Sequence, residues 1–130
     1  MLQGLENAKK VKYFEYDFSK EAGAVGDITL RGGYLPEGAI VLDGKVHVQT
    51  ALTSGGAATV ALKLQSAADV LAATAIASLS LNAILDTVPD GTAANAVRLT
   101  AKRQLVATVA TETLTAGKFV VAVEYIVTTE

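Results

Sequence analysis

Two runs of alternating apolar and polar residues, joined by a glycine-bearing segment, constrain the fold more than any other feature of this chain. The run at 45–50 (KVHVQT) and the run at 60–65 (VALKLQ) each place mainly apolar side chains on one face of an extended strand and polar ones on the other. Between them, 54–57 (SGGA) supplies the glycines that a tight turn needs. Such alternation is typical of an antiparallel sheet with one solvated face, so the stretch Lys45–Gln65 predicts a β-hairpin.

A second pair of runs near the C-terminus repeats this design. Residues 105–111 (LVATVAT) alternate, residues 114–118 (LTAGK) turn the chain, and residues 119–127 (FVVAVEYIV) form the longest strand pattern in the sequence. The two turns even share wording, TALTSGG at Thr50–Gly56 and TETLTAGK at Thr111–Lys118. The sequence therefore predicts a second hairpin, and the similarity falls far short of the fixed-period repeats of a solenoid.

Shorter patterns fill the remainder of the chain with strands and turns. The segment 11–18 (VKYFEYDF) places Phe14, Tyr16 and Phe18 on one face, which predicts a heavily packed strand. Further strand patterns occur at 27–31, 39–42 and 96–101. Turn signatures occur at 35–38 (LPEG) and 89–91 (PDG).

Two places leave more than one interpretation open. Asp43 and Gly44 interrupt a strand pattern, and we interpret them as a bulge in one long bent strand in preference to a tight turn. The alanine-rich segment 66–81 favours a short helical turn near 67–72, followed by irregular chain or a short strand.

The complete pattern contains about seven or eight short strands and at most one short helix. It predicts an all-β fold, namely an antiparallel two-sheet sandwich of the jelly-roll type. A parallel sheet would need repeated crossover helices, which the pattern lacks. At 130 residues the chain is expected to form one domain, with residues 1–10 (MLQGLENAKK) as a polar N-terminal arm and residues 11–130 as the sandwich.

Composition excludes several classes of protein. The formal net charge is −2, which implies no general attraction to nucleic acid or to an anionic membrane. Cysteine is absent, so a disulfide framework and cysteine-based zinc sites are excluded. The first ten residues lack the apolar core of a signal peptide, and no run of about 18 apolar residues is present to span a membrane.

The chain is nevertheless apolar, since 51% of its residues are hydrophobic although only 5% are aromatic. Alanine, valine and leucine make up the excess, and small or β-branched side chains suit closely stacked sheets. A domain this apolar is expected to bury part of its surface against partners. An alanine-rich core in a monomer is the alternative.

Candidate catalytic or metal-binding residues are few, and each has an ordinary structural interpretation. His47, the single histidine, lies on a predicted solvent face without a local nucleophile motif. Asp86 and Asp90 flank a turn, where solvated carboxylates are favoured over a calcium site. Glu15 and Asp17 share a strand face, yet an exposed charged edge is favoured over acid–base chemistry. We therefore assign no catalytic, cofactor-binding or metal-binding residue, and we expect no enzyme.

Basic residues are scattered along the chain and lack the interleaved aromatics that stack nucleic-acid bases, so nucleic-acid binding is not expected. The run at 38–45 (GAIVLDGK) departs from a phosphate-binding loop in its glycine spacing, and no serine or threonine follows its lysine.

Three segments resemble small virion proteins of tailed bacteriophages: 14–32 (FEYDFSKEAGAVGDITLRG), 52–79 (LTSGGAATVALKLQSAADVLAATAIASL) and 110–125 (ATETLTAGKFVVAVEY). The resemblance covers most of the chain and is to head decoration, or cement, proteins in particular. It implies a β-rich homo-oligomer, a trimer, that binds the major capsid protein on the capsid exterior and clamps neighbouring subunits. It implies no cofactor, places synthesis in the bacterial host cytoplasm, and carries over no functional residue one by one.

The polar N-terminal arm is the predicted partner-binding element. Leu2, Leu5, Lys9 and Lys10 are the residues expected to contact the capsid or a neighbouring subunit, with a frayed terminus as the alternative. Two other functions stay open. One is a tail or neck component of a phage, and the other is a β-sandwich module that binds carbohydrate or a receptor through exposed tyrosines.

Overall fold

Two antiparallel β-sheets packed face to face make up the computed structural model, which describes residues 9–128. The strands in this part of the chain are β1 (Lys10–Asp17), β2 (Gly26–Thr29), β3 (Ala39–Ser54), β4 (Thr59–Lys63), β5 (Leu71–Ala75), β6 (Ile84–Asp90), β7 (Val97–Arg98), β8 (Val106–Ala110) and β9 (Leu114–Val127). A four-residue helix, α1 (Phe18–Glu21), and two short 3₁₀ turns, Ile76–Ser78 and Ala93–Asn95, complete the described elements. The predicted all-β, two-sheet antiparallel sandwich is confirmed.

The larger sheet has the strand order β1-β9-β3-β6, and β7 pairs with β3 on the same side as β6. The smaller sheet has the order β2-β8-β4-β5. Within residues 9–128, no helix is long and apolar enough to cross a membrane.

Both predicted hairpins are wrong, although their strands exist. β3 lies in the larger sheet and β4 in the smaller, while β8 lies in the smaller sheet and β9 in the larger. The glycine-bearing segment after β3 and the segment after β8 therefore each carry the chain from one sheet to the other. Alternation predicts which face of a strand is buried, but it leaves open whether the next strand lies beside that strand or across the core from it.

The two crossings lie side by side at one end of the sandwich. β3 and β9 pair along their whole lengths, from Ala39 opposite Val127 to Ser54 opposite Leu114. Near this end the hydroxyl groups of Thr53 and Thr115 share a hydrogen bond of 2.7 Å. The sequence similarity between Thr50–Gly56 and Thr111–Lys118 therefore corresponds to two neighbouring crossings between the sheets.

Residues 39–54 form one strand with a register shift at Asp43, which confirms the predicted bulge. Gly44 is buried at this bulge. The packing leaves no room for a side chain, since a Cβ at this position would lie 2.9 Å from the Thr87 hydroxyl and the Ala122 carbonyl oxygen.

Of the aromatic face predicted for 11–18, Phe14 and Tyr16 lie in the core, whereas Phe18 begins α1 and is only partly buried. Phe14 and Tyr16 are both about 1% exposed, and the Tyr16 ring stacks on Phe119 with 5.3 Å between ring centroids. The Tyr16 hydroxyl donates a hydrogen bond of 2.6 Å to the carbonyl oxygen of Ala22. This bond satisfies the one polar group of a ring that is otherwise surrounded by apolar side chains.

The alanine-rich segment departs from its prediction. Residues 66–69 form a turn in which the Asp69 amide donates to the Ser66 carbonyl oxygen at 3.2 Å, and β5 begins at Leu71, so the helical turn near 67–72 is wrong. Val70 and Leu71 are buried in the core, and this packing overrides the helix propensity of the alanines. Pro89, predicted to open a turn, instead lies inside β6, an edge strand that tolerates proline.

Substituting Gly117 tests the close approach of β9 to the end of β3. An alanine Cβ there would lie 2.7 Å from Leu52 Cγ, on a backbone with φ of +138°. Gly26 has φ of +123° and nothing within 4 Å of its Cβ position, so Gly26→Ala measures backbone strain alone. We expect Gly26→Ala to lower the free energy of unfolding by about 1–3 kcal/mol. Gly117→Ala should cost about 1–3 kcal/mol more. Equal losses in urea unfolding would contradict this packing.

Tyr16 should make stability fall at alkaline pH. Burial, followed by the nearby carboxylates of Glu21 and Asp17, raises the pKa of Tyr16 from 10.0 to about 12. The folded state therefore favours the neutral phenol, and this stabilisation is complete below pH 10 and lost as the pH rises toward 12. Between pH 9 and 11, wild type should lose about 1 kcal/mol more unfolding free energy than Tyr16→Phe in denaturant titrations. Parallel pH profiles for the two proteins would refute this.

Candidate interaction surfaces

Two of the four residues predicted to bind a partner lie within residues 9–128. Leu2 and Leu5 lie outside the described residues. The Lys9 ammonium lies 3.1 Å from a carboxylate oxygen of Glu124, and Lys10 opens β1 opposite Tyr125. Lys10 therefore belongs to the larger sheet, and the arm is joined to β1 at the edge of that sheet. Its contact with a partner stays a prediction.

The outer face of the larger sheet adjoins this point. Tyr13 is 64% exposed and lies opposite Ala122, which in turn lies opposite Lys45. His47 lies exposed in the next row of the same face, opposite Ile84 of β6. The face thus alternates apolar and charged side chains.

The two carboxylates considered for calcium each have their own partners. Asp86 pairs with the Lys45 ammonium at 3.1 Å. Asp90 accepts hydrogen bonds from the hydroxyl and amide of Thr92, at 2.7 and 3.1 Å, and these bonds hold the pKa of Asp90 below its ordinary value. Among residues 9–128, no group of three or more histidine, aspartate or glutamate side chains is arranged to hold a metal ion.

The carboxylates considered for acid–base chemistry take part in local structure. Asp17 caps α1 by accepting hydrogen bonds from the Ser19 amide and hydroxyl, and the bond from the hydroxyl is the main cause that lowers the Asp17 pKa. Glu15 pairs with Arg31, which also binds Glu21 at 2.9 Å.

These ion pairs close one side of the sandwich. The Glu15 amide donates to the Arg31 carbonyl oxygen at 2.8 Å, and the Arg31 amide donates back to the Glu15 carbonyl oxygen at 3.2 Å. Gly32 continues along this edge, where a Cβ would lie 2.5 Å from the Tyr13 carbonyl oxygen. We call this side, where β1 meets the chain after β2, the closed side.

A polar groove of about 500 Å³ opens between the end of β4 and the start of β8. Tyr34, Lys63, Lys102 and Arg103 are among its lining residues. The Lys102 ammonium lies 4.5 Å from the centre of the Tyr34 ring, a cation–π contact. Lys63 is paired with Asp27 at 2.8 Å, and this hydrogen bond is the main cause that lowers the Asp27 pKa.

Hydrogen bonds fix the floor of this groove. Gln65 accepts from Arg103 Nε at 3.1 Å through its amide oxygen and donates to the Thr100 hydroxyl at 2.7 Å. The sequence showed only scattered basic residues, whereas the fold brings three of them to one groove. Residues far apart in the chain meet there, so no local sequence signal was available.

Asp69 holds the turn beside this groove. Its carboxylate accepts hydrogen bonds from the amides of Leu64, Gln65 and Ser66, at 2.7, 2.8 and 2.8 Å respectively. By accepting from these three amides, Asp69 closes the connection between β4 and β5.

Neither a protein-family model nor a curated protein matches the sequence. Solved structures do match. The chain shares its fold with chains of three bacteriophage capsids. In the cyanophage Pam1 capsid asymmetric unit, a chain 22% identical superposes with a TM-score of 0.67, covering 98% of this chain and 90% of that one.

Two further matches come from other phages. For the acidic stable capsid of Helicobacter pylori bacteriophage KHP30 the TM-score is 0.65, with 16% identity and coverage of 96% of this chain and 92% of that one. For the capsid of Ralstonia phage GP4 the TM-score is 0.65, with 14% identity and coverage of 100% and 91%. At such identities the similarity is one of fold, and it extends over nearly the whole of each chain.

Asp69→Asn tests whether this carboxylate organises the groove. An asparagine can no longer offer two charged oxygens to three amides, so we expect a loss of about 1–3 kcal/mol in the free energy of unfolding. Asp86→Asn is the matched control, because Asp86 forms only an exposed ion pair, and should cost about 0–1 kcal/mol. Urea denaturation compares the two, and equal effects would contradict the role of Asp69.

Proposed function

We propose that this protein is a structural component of a bacteriophage virion that decorates the outer surface of the capsid. The observation that carries this proposal is its fold, which it shares over almost its full length with chains from three phage capsids. The segments that resemble head decoration proteins support the same conclusion from the sequence. In this role the protein bridges neighbouring subunits of the major capsid protein.

The arrangement of the molecule suits such a role. A decoration protein has to be rigid, and here the closed side joins the two sheets while the long β3–β9 pairing holds the larger sheet together. Each bridge that forms on the assembled shell, and is absent from dissociated subunits, stabilises the shell by mass action. This function needs surfaces rather than catalysis or a cofactor.

The N-terminal arm makes the contact with the partner in this proposal. It joins the sheet at Lys9 and Lys10, at the edge of the larger sheet, so it continues directly from a rigid element. Leu2 and Leu5, together with Met1, are the large apolar side chains of a mainly polar segment. Full burial of each against a capsid subunit or a neighbouring copy would contribute about 1.5–3 kcal/mol.

Self-association is the second part of the proposal. A trimer of this chain would present three arms at once, and each additional arm binds as an intramolecular event with a high effective concentration. Occupancy of the shell then rises without any stronger single contact.

Deleting Met1–Ala8 tests the arm while leaving β1 and the Lys9–Glu124 ion pair in place. We expect at least tenfold weaker binding to purified undecorated shells in co-sedimentation, with an unchanged midpoint of thermal unfolding. A Leu2→Ala/Leu5→Ala double variant keeps the length of the arm and should lose most of the same affinity. Binding equal to that of the full chain would remove the arm from the proposal.

A second experiment measures binding to separated heads and tails of the same virion. Binding to heads supports decoration. Binding to tails alone would contradict it and favour a tail or neck component.

A further inference from the structure

The side of the sandwich opposite the closed side is formed by the edge strands β5 and β6. A hydrogen bond of 2.7 Å from the Val88 amide to the Val70 carbonyl oxygen joins the two sheets there. The intervening chain, residues 70–85 (VLAATAIASLSLNAIL), carries no charged residue, although Asp69 and Asp86 stand immediately outside it. We call the surface of residues 70–88 the open side.

Large apolar side chains project from the open side into solvent. Leu81 is 62% exposed, Ile84 is 70% exposed and Val88 is 37% exposed. Small apolar side chains are also exposed on the open side, namely those of Ala72, Ala73, Ala75 and Ala77. Three of the seven large hydrophobic residues that are exposed in the described chain therefore lie within eight consecutive positions.

The backbone of β5 is also accessible along this side. β5 is the last strand of the smaller sheet and pairs only with β4. Outside that ladder, residues 72–74 show a single hydrogen bond in the described structure, from the Thr74 hydroxyl to the Ala72 carbonyl oxygen at 2.8 Å. An exposed strand edge of this kind is a template for pairing with another strand.

The two sides differ in the devices that usually prevent such pairing. On the closed side, the edge strand β1 carries Lys10, Lys12, Glu15 and Asp17, and the chain at Arg31 crosses its edge. Charges and covering chain are the common protections of an exposed edge. β5 has neither, because its sequence is LAATA and its outer edge is uncovered in the described residues.

We propose that the open side is the surface through which this chain binds a second copy of itself. The one charged side chain of the open side, Asp86, is already paired with Lys45 at 3.1 Å. A second open side therefore brings no unpaired charge into the contact, whereas a charged surface of a different partner would find nothing to pair with. The alanines allow the backbones to approach closely, and Leu81 and Ile84 supply the apolar area. This inference rests on the self-association in the proposed function and gives it a location.

Light scattering after size-exclusion chromatography, over a hundredfold range of protein concentration, tests this location on the full chain. Ile84→Glu and Leu81→Glu each put a charge on the open side at a solvent-exposed position. Val25→Glu is the matched control, because Val25 is 56% exposed and lies before β2, away from the open side. We expect an oligomer for wild type and Val25→Glu, and at least tenfold weaker association for the two open-side variants.

Three results would overturn the proposal. They are a wild-type monomer throughout the range, open-side variants that associate as tightly as wild type, and dissociation caused by deleting Met1–Ala8 while Ile84→Glu remains oligomeric. The last result would show that copies associate through the arm and not through the open side.

Hydrogen exchange of the unmodified protein gives a measurement that is independent of any substitution. The amides of residues 72–75 should exchange more slowly at high than at low protein concentration, while those of β2 stay unchanged. Concentration-independent exchange in β5 would contradict pairing at this edge. Neither experiment uses capsids, so failure here leaves the capsid-binding proposal to its own test.

Discussion

The pairing of β3 with β9 is the interaction on which the remainder of the fold depends. These two long strands lie side by side from Ala39 opposite Val127 to Ser54 opposite Leu114. β1 is held against β9, and β6 and β7 are held against β3. The chain leaves this pair at one end through two crossings, and those crossings place β4 and β8 side by side in the second sheet. Removing the pair would leave the larger sheet without its centre.

Much of the local structure could be predicted, because side-chain alternation directly reports which face of a strand is buried. The aromatic face of Phe14 and Tyr16 and the bulge at Asp43 followed from such patterns. The pairing of strands did not follow, because a turn between two half-buried strands is compatible with a hairpin and with a crossing between sheets. β5 could not be predicted for a different reason. Alanine favours helix in isolation, and the strand forms because Val70 and Leu71 are buried in the core.

The surfaces were harder to predict than the strands. The groove at Lys63, Lys102 and Arg103 depends on residues that the fold brings together from two distant parts of the sequence. In the sequence, most of the open side is only a stretch without charge, residues 70–85, which is equally compatible with a buried core. Exposure distinguishes the two, and exposure is a property of tertiary structure. The residues predicted for partner binding were chosen from the resemblance and from the polarity of the arm, and half of them precede the described chain.

The order in which strands occur along the chain has a consequence for how the protein is made. β3 is synthesised well before β9, its main partner, because β4 to β8 lie between them in the chain. Contacts between such distant segments require a large loop to close and therefore form slowly. During this interval the apolar face of β3 and the unprotected edge of β5 are both available to other chains, which makes nascent molecules prone to aggregation. The later β9 pairs with β3, the longer these two surfaces stay exposed.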